Sequence, residues 1–148
     1  MDNNDVNILI VEDNLAHLKI TQYILREEHV DGNYIVVRDG QEALDYIYNL
    51  NAYSDRTIYP TPNLVLLDLN LPQRDGREVL KILNADTMYQ NIPVVIVSTS
   101  DREEDITFAF EHGAVAYISK SVGFEIFRRE LGSVKKYISK NSNSSVQH

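Results

Sequence analysis

The chain has 148 residues, carries a formal net charge of −8, contains no cysteine and is 43% hydrophobic. This length and composition are typical of one globular domain, and the missing cysteines exclude disulfides, thiol catalysis and cysteine-bound zinc. The acidic balance argues against nucleic-acid binding. No apolar run is long enough to cross a membrane and the polar N-terminus does not resemble a signal peptide, so we expect a cytoplasmic protein.

Five short apolar runs follow one another along the chain, and each has the length of a buried strand. In chain order they are Val6–Val11, Tyr34–Val37, Leu64–Leu67, Pro93–Val97 and Ala116–Ser119. The runs are continuous rather than alternating with polar residues, which is typical of strands in a parallel sheet that is covered on both faces. Right-handed crossovers between such strands predict a three-layer α/β domain.

Five helices are predicted between and after these strands. Capping and turn residues mark their ends: Asn14, Gly32, Asp39-Gly40, Asp75-Gly76, Asp101 and His112-Gly113. Apolar residues at helical spacing are Leu15, Leu18 and Leu25, then Ala43, Leu44 and Ile47, then Val79, Leu80 and Leu83, then Ile106, Ala109 and Phe110, and finally Phe124, Phe127, Leu131, Val134 and Ile138. We expect these stripes to pack against the sheet.

One segment does not fit the regular alternation of strands and helices. Leu50–Pro62 is polar, rich in tyrosine and proline, and predicts a long loop before the third strand. Long loops inside compact domains are often functional, although a tolerated surface insertion is the alternative. The whole chain, 1–148, is predicted to be one domain with its core at about 7–140 and a disordered tail at 141–148.

Polar side chains follow four of the predicted strands. Glu12 and Asp13 follow the first strand, Asp68 the third, Ser98 the fourth and Lys120 the fifth. In a flavodoxin-like sheet of order 2-1-3-4-5 the first and third strands are neighbours, so the three carboxylates converge. Two such charges about 4 Å apart repel by ~4 kcal/mol at an effective dielectric of ~20. A magnesium ion would relieve this repulsion and leave room for a phosphoryl oxygen.

A carboxylate next to magnesium, a lysine and a hydroxyl can be the nucleophile of a phosphoryl transfer. Asp68 needs no general base, because the reference pKa of aspartate is ~3.9. Lys120 would neutralise phosphoryl oxygens, and Ser98 would donate a hydrogen bond to one of them.

These residues resemble those of the response-regulator receiver domains of two-component signalling. The resemblance covers Ile8 to Ile138 and is carried by Glu12-Asp13, the Asp68–Gly76 block (DLNLPQRDG), Ser98, Tyr117 and Lys120. It implies that a partner histidine kinase phosphorylates Asp68 and that Mg²⁺ is bound by Glu12, Asp13, Asp68 and the main-chain carbonyl of Asn70. It also implies a switch in which Ser98 moves toward the phosphoryl group and Tyr117 turns inward behind it.

A narrower resemblance is to the single-domain regulators that serve cyanobacterial-type phytochrome kinases, on the basis of the Leu50–Pro62 loop and Lys120-Ser121. Two positions depart from the usual receiver pattern. Ser121 stands where the family usually has proline, and Thr99 stands where it usually has a smaller residue. Ser98 and Thr99 therefore both remain candidates for the hydroxyl that contacts the phosphate.

Two other functions compete with the phosphorylated switch. A phosphatase of the haloacid-dehalogenase type also uses a strand-end aspartate and magnesium, but its second aspartate is Asn70 here, and an amide cannot shuttle a proton. The other alternative is a receiver-like scaffold that is not phosphorylated. The four histidines, His17, His29, His112 and His148, lack metal-ligand spacing and are predicted to be surface residues.

The sequence shows no effector domain after the last helix, so we expect that the protein does not act as an enzyme on a separate substrate. The signal is then expected to leave through a surface of the domain itself. In the receiver family this surface is the fourth helix, fifth strand and fifth helix, which would bind a downstream protein or a second copy of the chain.

Overall fold

The computed structural model describes residues 6–138, which form one five-stranded sheet with helices on both faces. The strands are β1 Asn7–Val11, β2 Asn33–Val37, β3 Leu64–Leu67, β4 Val94–Ser98 and β5 Ala116–Ser119. The helices are α1 Leu15–Glu27, α2 Gly40–Ile47, α3 Gly76–Ala85, α4 Glu103–Glu111 and α5 Phe124–Gly132. All neighbouring strands are parallel, and their order, β2-β1-β3-β4-β5, confirms the predicted flavodoxin-like topology.

Two apolar cores lie on opposite faces of the sheet, because successive side chains of a strand point to opposite sides. Leu9 and Val11 of β1 contribute to the core that α2, α3 and α4 cover. Ile8 and Ile10 contribute to the core that α1 and α5 cover. Both faces of the strands are therefore buried, which explains why the strands are continuous apolar runs in the sequence.

Side-chain caps begin three of the helices. Asn14 accepts a hydrogen bond from the main chain of α1, Asp39 from that of α2 and Asp75 from that of α3. The prediction that Asp101 caps α4 is wrong. The N-cap position of α4 is Arg102, and no side chain caps this helix through a hydrogen bond.

The predicted inner face of α4 is partly wrong. Ala109 is buried as expected, but Phe110 is 50% exposed, and the carboxylate residue Asp105 is buried with Ala109. A sequence pattern places a charged residue on the outside of a helix. Here partners from two other segments compensate for the burial of Asp105, as the site below shows.

The last predicted helix consists of two pieces. The α-helix ends at Gly132 and the chain continues as a 3₁₀-helix, Ser133–Tyr137. Gly132 lies against α1, where a Cβ would be 2.9 Å from Cγ of Glu28. Phe127 and Leu131 are buried as predicted, whereas Phe124 is 50% exposed.

The Leu50–Pro62 segment is folded onto α2 rather than extended into solvent. It contains a 3₁₀-helix, Asn51–Tyr53, and its rings at Tyr53 and Tyr59 contact each other and Tyr46 of α2 edge to face, with centroids 5.0 to 6.0 Å apart. The Asn49 amide donates to the carbonyls of Tyr53 and Tyr59. The aromatic side chains of the insertion thus extend one apolar core.

Within residues 6–138 no helix combines the length and the apolar character needed to cross a membrane. The peptide bond between Lys120 and Ser121 is trans, as are the others in this range. The tail predicted to be disordered, 141–148, lies outside the described residues, and the domain limits 1–148 and 7–140 stay predictions.

Candidate functional site

Three carboxylates meet where β1 and β3 end side by side. Carboxylate oxygens of Glu12, Asp13 and Asp68 lie within 4.8 Å of one another, and we call these residues the acidic cluster. Glu12 and Asp68 are buried, with 4% and 7% of their surface exposed, whereas Asp13 is exposed. The structure thus brings together the three acids that the sequence places after neighbouring strands.

The main chain fixes Asp68 in this position. Its N–H donates to the Val11 carbonyl at 3.2 Å, which continues the ladder between β1 and β3. One carboxylate oxygen, Oδ1, accepts the Asn70 N–H at 3.1 Å. Helix α3 begins very close to the end of β3. A Cβ at Gly76 would lie only 2.1 Å from the Asp68 carbonyl oxygen. Only glycine permits this approach.

Lys120 reaches the acidic cluster from the end of β5. Its main-chain N–H donates to the Ser98 carbonyl at 2.8 Å. Its ammonium group forms ion pairs with Oε1 of Glu12 and, at 3.2 Å, with Oδ2 of Asp68. The Lys120 side chain is 7% exposed. One buried cation is therefore shared by two buried carboxylates, with a third, exposed one beside them.

The electrostatics of the acidic cluster favour an added cation. Burial raises the pKa of Asp68, and the neighbouring Glu12 charge raises it further. The Lys120 charge and the Asn70 N–H lower the pKa, but they do not offset the burial. Carboxylate oxygens are the ligands that hard divalent cations prefer. The oxygens of the three acids are therefore suited to hold such an ion.

The two candidate hydroxyls after β4 have different surroundings. Ser98 is fully buried, and its Oγ accepts the Ser100 N–H at 3.1 Å. Thr99 is exposed and lies, with Lys120, on the wall of a cleft of about 270 Å³ that opens to solvent. Ser98 is therefore tied to the β4–α4 loop, whereas Thr99 faces the cleft.

Tyr117 connects β5 to the same loop. Its hydroxyl donates to the Ser100 carbonyl at 2.8 Å, and its half-buried ring packs against the core under α2, α3 and α4. Burial raises the pKa of Tyr117, and hydrogen bonds involving Ser100 and Ser98 partly oppose that rise. The side chain that the resemblance assigns to the switch thus contacts the segment that carries Ser98.

A second set of charges lies beside that loop. Arg77 of α3 donates to Oδ1 of Asp105 at 2.8 and 3.0 Å and to both oxygens of Asp75 at 3.1 Å. The Ser100 hydroxyl donates to the other oxygen of Asp105 at 2.5 Å. These contacts lower the pKa of Asp105, the Ser100 hydrogen bond most strongly. We call Asp75, Arg77, Ser100 and Asp105 the Arg77 network.

Sequence reasoning missed two parts of this region. The prediction that His17 is a plain surface residue is wrong, because it is half-buried with Nδ1 3.2 Å from the Lys120 ammonium. The Arg77–Asp105 pair was also missed. A signal existed for each: His17 lies in the first turn of the helix that follows the acidic pair, and Arg77 is a cation at a helix N-terminus, where the helix dipole disfavours it.

Comparison with known proteins shows which family has this arrangement. Residues 8–131 match the model of the response regulator receiver domain. The response regulator Rcp1 of Synechocystis sp. is 39% identical over 114 residues, which are 77% of this chain and 76% of Rcp1.

Solved structures agree with the sequence match. The Mn²⁺-bound form of Rcp1 superposes with a TM-score of 0.80 at 32% identity, covering 91% of this chain and 96% of that one. The phosphorylated cyanobacterial phytochrome response regulator RcpA superposes with a TM-score of 0.80 at 35% identity, covering 90% and 93%. The predicted resemblance to receiver domains, and to regulators of the phytochrome type, is confirmed. The chain belongs to the response regulator receiver domain family.

Proposed function

We propose that this receiver domain accepts a phosphoryl group on Asp68 from a partner histidine kinase and signals through phosphorylation-dependent binding of other proteins. One observation carries the proposal. Asp68 is a buried carboxylate at a strand end, with the Lys120 ammonium 3.2 Å from Oδ2 and two further carboxylates within 4.8 Å. Burying like charges together is unfavourable for the fold alone, so the arrangement indicates a chemical role.

The transfer step follows from these side chains. An oxygen of the Asp68 carboxylate attacks the phosphorus of a phosphohistidine, and a P–O bond forms as the P–N bond breaks. The electron pair of the broken bond goes to the imidazole nitrogen of the kinase, and the product on this chain is an acyl phosphate. The Lys120 charge lowers the pKa of Asp68 against the effect of burial, and the ammonium lies where it can balance charge on the phosphoryl oxygens.

The proposal includes Mg²⁺ held by Glu12, Asp13, Asp68 and the Asn70 main-chain carbonyl. When bound, the ion would supply positive charge beside the transferred group. The raised pKa of Asp68 supports this part, because it indicates that Lys120 alone does not balance the acidic cluster. The solved Mn²⁺-bound form of the similar protein Rcp1 is consistent with a divalent cation.

We propose that phosphorylation of Asp68 is transmitted to the protein surface along β4 and β5. Ser98, or Thr99 beside it, would hydrogen-bond a phosphoryl oxygen once Asp68 is modified. A shift of Ser98 would disturb its hydrogen bond with the Ser100 N–H, and Ser100 in turn holds the Tyr117 hydroxyl. This chain of contacts supports Tyr117 as the residue that reports phosphorylation to the face around β5.

The phosphoacceptor role is tested with a small phosphodonor, such as phosphoramidate, with and without Mg²⁺. We expect stoichiometric, Mg²⁺-dependent labelling of Asp68, located by mass spectrometry after reductive trapping of the acyl phosphate. Release of many phosphates per protein would instead indicate a phosphatase. An unlabelled protein would indicate a scaffold that is not phosphorylated.

The proposed output surface consists of α4, β5 and α5. β5 is one of the two edge strands of the sheet, and apolar side chains around it are exposed, namely Phe110 at 50%, Val115 at 38% and Ile126 at 40%. Such a surface suits a downstream protein or a second copy of the chain. Light scattering of the purified protein with and without beryllofluoride tests the second case, and dimerisation only with the phosphate mimic is the expected result.

The proposed kinase is of the phytochrome type. The similarity to RcpA and Rcp1 supports this assignment, as does the folded Leu50–Pro62 insertion before β3. Phosphotransfer from a purified phytochrome-type kinase should be faster than transfer from an unrelated histidine kinase at equal concentrations. Equal rates from both donors would remove the support for this choice of partner.

A further inference from the structure

We propose that His17 is a positioning residue that holds the Lys120 ammonium in place for phosphoryl transfer to Asp68. The inference rests on the function proposed above and assigns a role to a residue outside the acidic cluster. It starts from the distance of 3.2 Å between Nδ1 of His17 and Nζ of Lys120.

The ammonium group of Lys120 is surrounded by acceptors. A lysine ammonium has three N–H donors and no acceptor. Among residues 6–138 its three side-chain partners are Oε1 of Glu12, Oδ2 of Asp68 and Nδ1 of His17. Because the Lys120 side chain is 7% exposed, water has little access to it, and an unmatched N–H would be unfavourable. His17 therefore supplies the acceptor for the third N–H of the ammonium.

The proposed contact requires one form of the imidazole. Nδ1 can accept from an ammonium only when it carries no proton, so the form that the proposal assigns to the ring is the neutral one with its proton on Nε2. A charged imidazole would place a second cation against Lys120. The role of His17 is thus that of a neutral acceptor, which differs from the two carboxylates because it adds no further negative charge to the acidic cluster.

The chain before α1 fixes His17 relative to the acids. Oε2 of Glu12 accepts the Asn14 N–H at 3.0 Å, and the Asn14 side chain accepts the His17 N–H at 3.0 Å. The same Glu12 carboxylate binds Lys120 through Oε1. One side chain thus orients both the lysine and the helix turn that carries its third acceptor.

The placement has a consequence for the transfer. His17 and Lys120 line the cleft that opens to solvent beside Thr99 and Phe124. Lysine has a flexible side chain. An ammonium with only carboxylate partners could therefore shift toward one of the two acids or move into the cleft. A neutral acceptor on the cleft side limits that movement, so the charge is already beside Asp68 when the phosphodonor arrives.

Three substitutions separate the acceptor atom from the bulk of the ring. In His17→Asn the amide oxygen branches from the same carbon as Nδ1, whereas in His17→Gln it lies near the position of Nε2. His17→Leu removes the acceptor and favours the helix. Lys19→Leu, an exposed neighbour on α1, is the control. Thermal unfolding checks that each variant folds.

The first readout is the rate constant for labelling Asp68 with phosphoramidate and Mg²⁺. We expect His17→Leu and His17→Gln to be about tenfold slower, as for one lost hydrogen bond to a charged group. We expect His17→Asn to stay within about twofold of the unsubstituted protein, like Lys19→Leu. An unchanged rate in His17→Leu, or an equal loss in all three variants, would overturn the proposal.

The second readout does not depend on phosphorylation. The ¹⁵N NMR signal of the Lys120 ammonium should be visible, through slow proton exchange, in the unsubstituted protein and in His17→Asn, and should broaden in His17→Leu and His17→Gln. A signal that is the same in all of them would also overturn the role of His17. If the unsubstituted protein is not labelled on Asp68, the proposed function fails, and this measurement still decides the contact.

Discussion

The acidic cluster and the Arg77 network follow strand ends in the same domain, and they differ in how their charges are balanced. In the acidic cluster two buried carboxylates share one lysine with a third, exposed carboxylate beside them, and the pKa of Asp68 is raised because burial outweighs that lysine. In the Arg77 network one arginine lies between two carboxylates with a serine hydroxyl beside them, and the pKa of Asp105 is lowered.

The two regions show how a reactive site can differ electrostatically from a structural one. Both aspartates have little exposed surface. Burial is the main influence on the pKa of Asp68, whereas the Ser100 hydrogen bond is the main influence on that of Asp105. A lowered pKa means that the charged form stabilises the fold, and a raised pKa means that the charged form is unfavourable until another partner arrives. The acidic cluster is therefore suited to bind a cation. The Arg77 network is suited to hold α3, α4 and the β4–α4 loop together.

Asp68→Asn should have the largest effect on labelling. Phosphate incorporation from phosphoramidate should fall below detection by mass spectrometry. The melting temperature of the metal-free protein at neutral pH should rise or stay unchanged, because the amide removes a buried charge that the fold does not favour. Asp101→Asn, at an exposed position within the β4–α4 loop, serves as the control. A clear drop in melting temperature would mean that Asp68 stabilises the fold as Asp105 does.

Asp13→Asn should weaken Mg²⁺ binding by at least about tenfold, since even indirect partners of bound metals have effects of that size. Titration calorimetry measures this directly. In the unsubstituted protein, Mg²⁺ at about 100 times its Kd should stabilise the fold by about 2.7 kcal/mol. Glu103→Gln removes one exposed negative charge elsewhere and controls for net charge. Equal affinities in Asp13→Asn and Glu103→Gln would contradict the metal site.

Asp105→Ala should lower the free energy of unfolding by about 2 kcal/mol, because it removes hydrogen bonds to a charged group and leaves Arg77 with one partner fewer. Urea unfolding gives the value. Mg²⁺ affinity should not change, since Asp105 makes no contact with the acidic cluster among the interactions described for residues 6–138. Asp101→Ala is the matched control. A loss of Mg²⁺ affinity would show that the two regions are coupled even without phosphate.

The contributions of Asp68 and Asp105 to folding stability should change with pH in opposite directions. We expect these pH effects to be the smallest of those predicted. The folded pKa of Asp105 lies below its unfolded value, so its stabilisation is present above about pH 3.9 and is lost as the pH falls through the folded pKa. The folded pKa of Asp68 lies above its unfolded value, so its penalty is absent below about pH 3.9 and grows as the pH rises through the folded pKa.

Melting temperatures of the metal-free protein and its variants between acidic and neutral pH test these signs. The difference between Asp68→Asn and the unsubstituted protein should narrow as the pH falls through the folded pKa of Asp68 toward about pH 3.9. The deficit of Asp105→Ala should persist to lower pH. Parallel curves for the two variants would remove the distinction between the regions.

Much of the fold could be predicted because it depends on local patterns. Strands that are buried on both faces appear as apolar runs, and acids after two neighbouring strands must approach each other. Contacts between distant segments could not be predicted in this way. His17 and Lys120 are 103 positions apart, and Asp105 faces inward only because Arg77 and Ser100 compensate for its charge. The prediction that Phe110 faces inward was therefore wrong, because a helical pattern cannot show that a carboxylate occupies the inner face.

The close approach of Gly76 to Asp68 has a consequence for mutational tolerance. A side chain at this position would collide with main-chain atoms, which cannot rotate away, so even alanine must displace either α3 or the end of β3. Gly123 differs, because a Cβ there would meet nothing within 4 Å and its φ of 99° is the main obstacle. In a library of all single substitutions, position 76 should therefore be intolerant in assays of folding as well as of phosphorylation, and engineered variants of α3 must keep this glycine.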